Sequence, residues 1–466
     1  MGLQLPTFDV IVVGAGNAGL VAAISAKHHA RRILLLERAP EWIRGGNSRH
    51  TRDIRYAHDE GDPYTVGAYS EDEFLDDLRR VGGGRANQDL AHLCVRESRT
   101  IVPWMTEHGV RWQQPLKGTL HLSRTNRFFL GGGKALVNAY FRTAQDMGVQ
   151  ILYDATVDEL IVDGECVRGV VVERNGERQT FLARAIVLAS GGFEANVEWL
   201  KKYWGSAADN FVIRGTPYND GRVLAALLRA GAMTVGDPKA AHAVAVDARA
   251  PKFDGGIVTR LDSVPFGIVV DKQCRRFYDE GEDFWPKRYA IWGRLIAEQP
   301  DQIAYSIFDS RMLDKFLPSL YRPFQGRTLP ELAATLGLDP TALTTTVNEY
   351  NRHACRDCTF TPSVLDDCST RGLDPPKTHW AVPIEAPPFY AYPLRPGITF
   401  TYLGLAVDET TRVQMKAGPP LANLYGAGEI MAGNILSHGY LAGFGLTIGT
   451  VFGRIAGKEA AKHAAE

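Results

Sequence analysis

The stretch Phe8-Asp9-Val10-Ile11-Val12-Val13-Gly14-Ala15-Gly16-Asn17-Ala18-Gly19 decides the fold. Residues 8–13 are short, apolar and β-branched, and Gly14 stops them, which predicts a buried strand. Small residues from Ala18 to His28 predict a helix that lies close on that strand, and Arg32 to Leu36 predicts a second buried strand ending at Glu37. Strand, helix and strand make a βαβ unit. The glycines stand where a dinucleotide needs them. Gly14 permits a tight turn, Gly16 lets backbone approach a pyrophosphate, and Gly19 lets helix pack on strand. The helix N-terminus then meets the phosphates with the positive end of its dipole. Glu37 lies 23 residues after Gly14, placed to accept hydrogen bonds from ribose hydroxyls.

A second turn of the same kind returns late in the chain. Leu424–Ala427 reads as a buried strand, and Tyr425-Gly426-Ala427-Gly428-Glu429 is a glycine-rich turn ending in an acid. One fingerprint suits NAD, but two suit FAD, which is long and needs protein at both ends. Between the two turns the pattern changes. Val149–Tyr153, Glu159–Val162, Val167–Glu173, Gln179–Ala183 and Ala185–Ala189 read as strands, with a hairpin at Asn175-Gly176. Residues 71–110 and Lys134–Met147 read as helical, as do Pro330–Leu336, Pro340–His353 and Gly445–Ala461. From 237 to 377 strands alternate with loops and aromatics. The expected fold is α/β: one discontinuous domain (1–236 and 378–466) interrupted by a second (237–377).

Composition limits the partners. The 466 residues carry 52 Lys+Arg against 53 Asp+Glu, so no basic excess marks a nucleic-acid surface. Apolar residues at 45% and a net charge of −1 exclude a disordered chain. Six cysteines, and an amino terminus that runs from Met1-Gly2-Leu3-Gln4 into a strand without a basic leader, fit a reducing cytoplasm. Cys355, Cys358 and Cys368 have no obvious fourth metal ligand, so free structural thiols are expected and no metal. One local cationic feature stands out, the loop with Arg44, Arg49, Arg52 and Arg55 opposed only by Asp53, where an anionic substrate is expected to be drawn in.

Several segments together resemble the fumarate reductase/succinate dehydrogenase flavoprotein superfamily, which includes the 3-ketosteroid dehydrogenases. They are the fingerprint, Gly45-Gly46-Asn47-Ser48, Val187-Leu188-Ala189-Ser190-Gly191-Gly192-Phe193, Asn219-Asp220-Gly221, Arg276-Phe277-Tyr278-Asp279-Glu280 and Gly428-Glu429. Within it, the loop Gly45–Arg52 and the segment Asp279–Tyr289 most resemble the FAD-dependent tricarballylate dehydrogenases. The resemblance implies that FAD is held by Gly14, Gly16, Asn17, Ala18, Gly19, Glu37 and Arg38 toward its adenosine end. Val157 and Asp220 belong there as well. Gly46, Asn47, Ser48, Gly133, Ser190, Gly191 and Gly192 would follow, with Gly428, Glu429, Gly445, Leu446 and Thr447 toward the flavin. No histidine stands where covalent attachment would be expected, so binding is expected to be non-covalent.

The resemblance implies that the discontinuous domain is a Rossmann-like FAD-binding domain and the inserted one an α+β capping domain. It also implies the chemistry: removal of a proton alpha to a carboxylate, and hydride transfer from the next carbon to flavin N5. An anionic carboxylate substrate would lie between the domains. Arg288 is the expected base, with Lys287 and Tyr289 as substitutes and Glu280, Glu282 and Asp283 as acidic neighbours. His242, His50 and Arg52 are expected to hold carboxylates. Two positions depart from the fumarate reductase pattern. Thr399 or Phe400 stands where a histidine is expected, and Tyr440 replaces an arginine, with His438 close enough to restore charge. Electrons would leave to a separate membrane electron-transfer protein, which would bring the enzyme to a membrane. Two alternatives stay open: a reductase or 3-ketosteroid dehydrogenase on another substrate, and a flavin electron-transfer subunit without its own substrate.

Overall fold

The structure, a computed structural model, describes residues 7–115 and 121–466, so the leader expectation at Met1–Gln4 lies outside the described residues. Thr7–Val13 is the central strand of the first sheet, and Val10, Ile11 and Val12 have no exposed surface. It runs parallel to Ile33–Leu36 on one side and to the second half of Glu177–Leu188 on the other. Gln150–Leu152 and Leu424–Gly426 extend the parallel part outward. Such strands are covered on both faces, which is why they read as unbroken apolar runs.

Glu177–Leu188 is one strand where two were expected, around 179–183 and 185–189. Its first half pairs antiparallel with Cys166–Arg174 and its second half parallel with the central strand, so two partners hold it straight through Arg184. The hairpin turn at Asn175-Gly176 has φ of 53° and 78°, the left-handed pair that a two-residue hairpin requires. The helical stretch expected over 71–110 is divided into Glu71–Gly82, Gln88–Ser98 and Ile101–Glu107.

The C-terminal helix, Phe444–Ala465, crosses the first helix, Asn17–Lys27, at very short range. A Cβ at Gly457 would stand 2.2 Å from the carbonyl oxygen of Ala22, and one at Gly453 would stand 2.6 Å from that of Ala18. Asn17 Nδ2 ties the crossing by donating to Leu446 O at 3.2 Å and Thr450 Oγ1 at 3.0 Å.

A second sheet is built on the long strand Phe389–Thr401. Val212–Ile213 joins it in parallel, while Ala241–Asp247, Ala304–Asp309 and Phe324–Gly326 join it antiparallel. The sheet thus takes in strands on both sides of segment 237–377. The expected helix pair, Leu329–Leu336 and Pro340–His353, packs on one face through Leu332, Leu343 and Val347 against Ile268, Val270 and Ile307. Trp292, Phe308 and Leu394 fill the other face. Beside that helix pair, Cys358 and Cys368 form a disulfide, which corrects the expectation of free thiols there; Cys355 is free. No described helix is long and apolar enough to cross a membrane.

Gly453→Leu tests the helix crossing. Overpacking of a filled core usually costs about 1–3 kcal/mol, and here the obstacle is backbone that cannot rotate away. The expected result is a lower thermal unfolding midpoint together with weaker cofactor retention. A melt identical to wild type would remove the crossing as a determinant of stability.

Candidate active site

Both glycine turns open onto one cavity of about 1540 Å³, part of it open to solvent. Gly14 (φ 96°) presses on the strand end so closely that a Cβ would stand 2.5 Å from Ala189 O. A Cβ on Gly16 would meet nothing nearer than Ser48 Oγ at 3.5 Å; that side of the turn faces the cavity, and backbone alone lines it there. Glu37 is buried, and its carboxylate accepts from Ala15 N at 3.1 Å and Ala39 N at 2.8 Å. Burial pushes its carboxyl above the usual range, and the surrounding N–H donors oppose this. Arg38 lies beside it, paired with Asp220 at 2.7 Å.

Of the expected cofactor residues, Gly14, Gly16, Asn17, Ala18, Glu37, Arg38, Gly46, Asn47 and Ser48 line this cavity, as do Val157, Ser190, Gly191, Asp220, Gly428, Glu429, Gly445 and Leu446. Four do not line it. Gly19 packs against Gly14 O, Gly133 against Ser48 O, and Gly192 against Thr401 and Glu429. Thr447 Oγ1 donates to Arg55 O at 2.5 Å. These four let neighbouring segments approach and do not face the cavity.

Two carboxylates meet under the second turn. Glu194 is fully buried, and its Oε1 accepts from Asn219 Nδ2 at 2.8 Å and from Asn47 Nδ2. Its Oε2 has no other hydrogen-bonding partner and faces Glu429. Glu429 in turn accepts from Thr401 N at 2.8 Å. Burial, then the neighbouring carboxylate, pushes Glu429 well above the carboxylate range, so the pair holds a proton.

Beyond Thr399, whose carbonyl accepts from Asn47 Nδ2 at 2.7 Å, the cavity wall is positive. Arg52, Arg214 and Arg260 line it with His50, His242, Tyr289, Thr399, Phe400 and Tyr440. His242 sits between Thr399 Oγ1 and the Tyr289 hydroxyl, 3.0 Å from each. Burial, then Arg214 and Arg260, push the imidazole well below its usual value, so it is neutral. Tyr289 is 3% exposed, and the guanidinium of Arg260 lies 4.6 Å over its ring. Burial raises its hydroxyl to about 12 despite the cations around it. Tyr440 accepts from Gly445 N at 2.7 Å, and a Cβ on Gly445 would meet that hydroxyl at 2.6 Å.

Arg260 pairs with Asp262 at 2.7 Å, which more than reverses the effect of burial on its guanidinium. Arg52 stands 3.4 Å from Asp53 and 3.7 Å from Asp262, and its buried Nε and Nη2 make no hydrogen bond. Arg214 is 2% exposed, and burial lowers its guanidinium to about 10. His50 is bonded to Asp254, which Arg49 also approaches at 3.6 Å.

Two expected groups are elsewhere. Arg288 does not line the cavity: its guanidinium is taken by Glu282 and by the Tyr278 hydroxyl at 2.9 Å. The turn of helix Trp285–Arg288 directs it away and brings Tyr289 inward. Its proposed acidic neighbours are divided as well, Glu280 to Arg276 and Asp283 to Arg80. His438 also lies off the cavity, with Nδ1 buried and making no hydrogen bond. Of the four loop arginines only Arg52 lines the cavity; Arg44 lies over Phe141, Arg49 donates to Ile43 O, and Arg55 is buried on Tyr69. Arg214 and Arg260 were not anticipated. The one available signal was position, since Arg214 ends an apolar run and precedes the quoted Asn219-Asp220-Gly221 by five residues.

The profile of FAD_binding_2, the FAD binding domain family, matches residues 9–447. The chain belongs to this family. FAD is its cofactor, and it is an FAD-dependent oxidoreductase of the fumarate reductase/succinate dehydrogenase flavoprotein superfamily. It is 28% identical to a probable fumarate reductase of Shewanella frigidimarina, over 98% of this chain and 75% of the relative. It is 26% identical to an NADH:fumarate oxidoreductase of Klebsiella pneumoniae, over 98% of this chain but only 48% of that longer protein. The fold matches a 3-ketosteroid-Δ4-(5α)-dehydrogenase of Rhodococcus jostii, with TM-score 0.74 and 22% identity over 99% of this chain and 98% of that one. An open flavocytochrome c3 fumarate reductase matches with TM-score 0.72 and 23% identity over 99% and 79%.

Glu194→Gln tests the shared proton. A carboxyl raised by folding stays protonated in the native chain while the unfolded chain ionises, so stability falls as pH rises above the ordinary carboxylate value. The slope is about 1.4 kcal/mol per pH unit for one such group. The variant should lose less of its thermal midpoint between pH 5 and pH 9 than wild type does. Parallel curves would mean that no proton is shared.

Proposed function

We propose that this oxidoreductase desaturates a CH–CH bond in a small polycarboxylic acid of the tricarballylate class. The observation that carries the reading is the convergence of three arginines, His242 and two tyrosines at one end of the FAD cavity. Buried cations of this kind are stable only against anions, and preorganised donors favour charge that develops on a substrate carboxylate. The relatives fit an acid, since their names include a urocanate reductase and a 4-oxocyclohexanecarboxylate 2-dehydrogenase. A steroid would leave Arg214 without an anionic partner, since only Arg52 and Arg260 have carboxylates beside them.

The acid–base group is Tyr289 acting with His242. The relay needs the tautomer in which the Tyr289 hydroxyl donates to His242 Nε2 and His242 Nδ1 donates to Thr399 Oγ1. A substrate α-proton then passes to the Tyr289 oxygen as the phenolic proton passes to His242. In the free site burial, then Arg214 and Arg260, oppose that proton on His242. A bound polyanion offsets the part that the arginines contribute, so substrate itself makes the imidazole more basic. Arg52 and Arg260 hold carboxylate and stabilise the charge that builds on it. The two-electron chemistry belongs to FAD, which accepts hydride when bound.

The opposite direction is the second reading. Tyr289 holds its proton up to about 12, which suits a donor to an alkene acid. In either direction we propose a separate redox protein as the electron partner; two Shewanella relatives are named as cytochrome fumarate reductases.

Anaerobic addition of tricarballylate to the FAD-loaded enzyme should bleach the flavin absorption. An unchanged spectrum would overturn the desaturase reading, and reoxidation of reduced enzyme by fumarate or another alkene acid would establish the reverse one. Tyr289→Phe should lower kcat by about 10²–10⁴-fold while FAD content is unchanged. Arg288→Ala should retain turnover, because its partners are Glu282 and Tyr278; loss of turnover with full FAD content would return the proton-transfer role to Arg288.

A further inference from the structure

Arg214 differs from its neighbours in what balances it. Arg52 and Arg260 share Asp262, and Arg52 also has Asp53. Arg214 forms no ion pair among the described residues. Its contacts are to neutral oxygens: Nη1 donates to Thr399 Oγ1 at 3.2 Å and Nε to Gly256 O at 3.5 Å. Nη2 donates to no protein acceptor among the described residues. Three guanidiniums thus face two carboxylates, and the positive charge left over is on Arg214.

The position is also built. Arg214 N donates to Ile398 O at 2.9 Å, which fixes the backbone at the end of strand Val212–Ile213. The side chain passes Gly397, where a Cβ would stand 3.1 Å from Arg214 Cδ and 2.2 Å from Val246. Any side chain at 397 would therefore crowd the path by which the guanidinium reaches the cavity. A guanidinium at 2% exposure with no counter-ion is costly to keep unless a ligand supplies one.

We infer that Arg214 is the binding residue for an additional carboxylate, one that a tricarboxylate carries and a dicarboxylate lacks. It thereby sets the preference of the site for the larger acid. The inference rests on the proposed function, since it assumes that the cavity end receives a carboxylic acid. It assigns the shared carboxylates to Arg52 and Arg260, whose charges are already partly met. The planar guanidinium suits this task because it can meet a carboxylate with two parallel hydrogen bonds.

The test uses the FAD-loaded enzyme with tricarballylate as substrate and glutarate as a competitive dicarboxylate. Arg214→Met should raise the KM for tricarballylate by about 10- to 150-fold, the loss expected for hydrogen bonds to a charged group. The Ki of glutarate should move less than about threefold, within the scatter of an uncharged contact. Arg214→Lys keeps the charge but not the fork, and it serves if the methionine variant fails to retain FAD. It should show the same selective loss at smaller size. Equal losses for both acids, or no loss for either, would overturn the assignment while leaving the proposed function standing. A wild-type enzyme that neither bleaches with tricarballylate nor is inhibited by glutarate would instead overturn the proposed function, and this assignment with it.

Discussion

The site depends on how closely the C-terminal helix lies on the first one. Side chains normally hold helix axes about 8–10 Å apart. At Gly449, Gly453 and Gly457 there are none, and the backbone reaches the carbonyls of Ala18 and Ala22 directly. Asn17 locks the contact by bonding to the C-terminal helix at two points, while its own N–H donates to Ser48 Oγ at 2.9 Å. One asparagine therefore binds together the first glycine turn, the Gly46–His50 segment and the start of the last helix. Ser48 stands 31 residues after Asn17 in sequence and Leu446 429 after it, yet together these segments form one wall of the cavity. A cofactor that contacts all three is held by segments that cannot shift independently.

Much of this was legible in the sequence because glycine spacing records close approach. Gly14, Gly16 and Gly19 have separate steric reasons to be glycine, and each reason is visible from position alone. The parallel strands were legible too, since burial on both faces removes polar residues. The strand Glu177–Leu188 was harder. It changes partners midway, and the partner change, not a break in the chain, explains its mixed pattern. The Cys358–Cys368 bond was not legible, because a separation of 10 residues does not show that the loop folds back to bring the two Cα atoms within 5.4 Å.

The charged end of the site was the least legible part. Arg288 ends a helical turn that follows the acid-rich stretch 279–283, and local spacing cannot tell which way a four-residue helix points. Glu282 and Tyr278 take Arg288 outward, and that same rotation presents Tyr289. Arg214 and Arg260 come from a short strand end and a loop, with no periodicity around them. Their meaning is purely tertiary. Arg214 reaches its place because Phe389–Thr401 brings Thr399 between it and His242.

The departures at Thr399 or Phe400 and at Tyr440 then have a physical account. Where a relative of this superfamily is expected to place a histidine and an arginine, this chain places uncharged side chains, yet the cavity wall there is positive. The charge has moved to other elements and not been lost. Tyr440 uses its hydroxyl on Gly445 N, so it organises the helix start and is not simply a neutral substitute. Thr399 is small enough to leave room for the Arg214 guanidinium beside His242. Thr399 therefore belongs with Arg214 and Tyr440 with the last helix: one hydroxyl joins the guanidinium to His242, and the other meets Gly445 N.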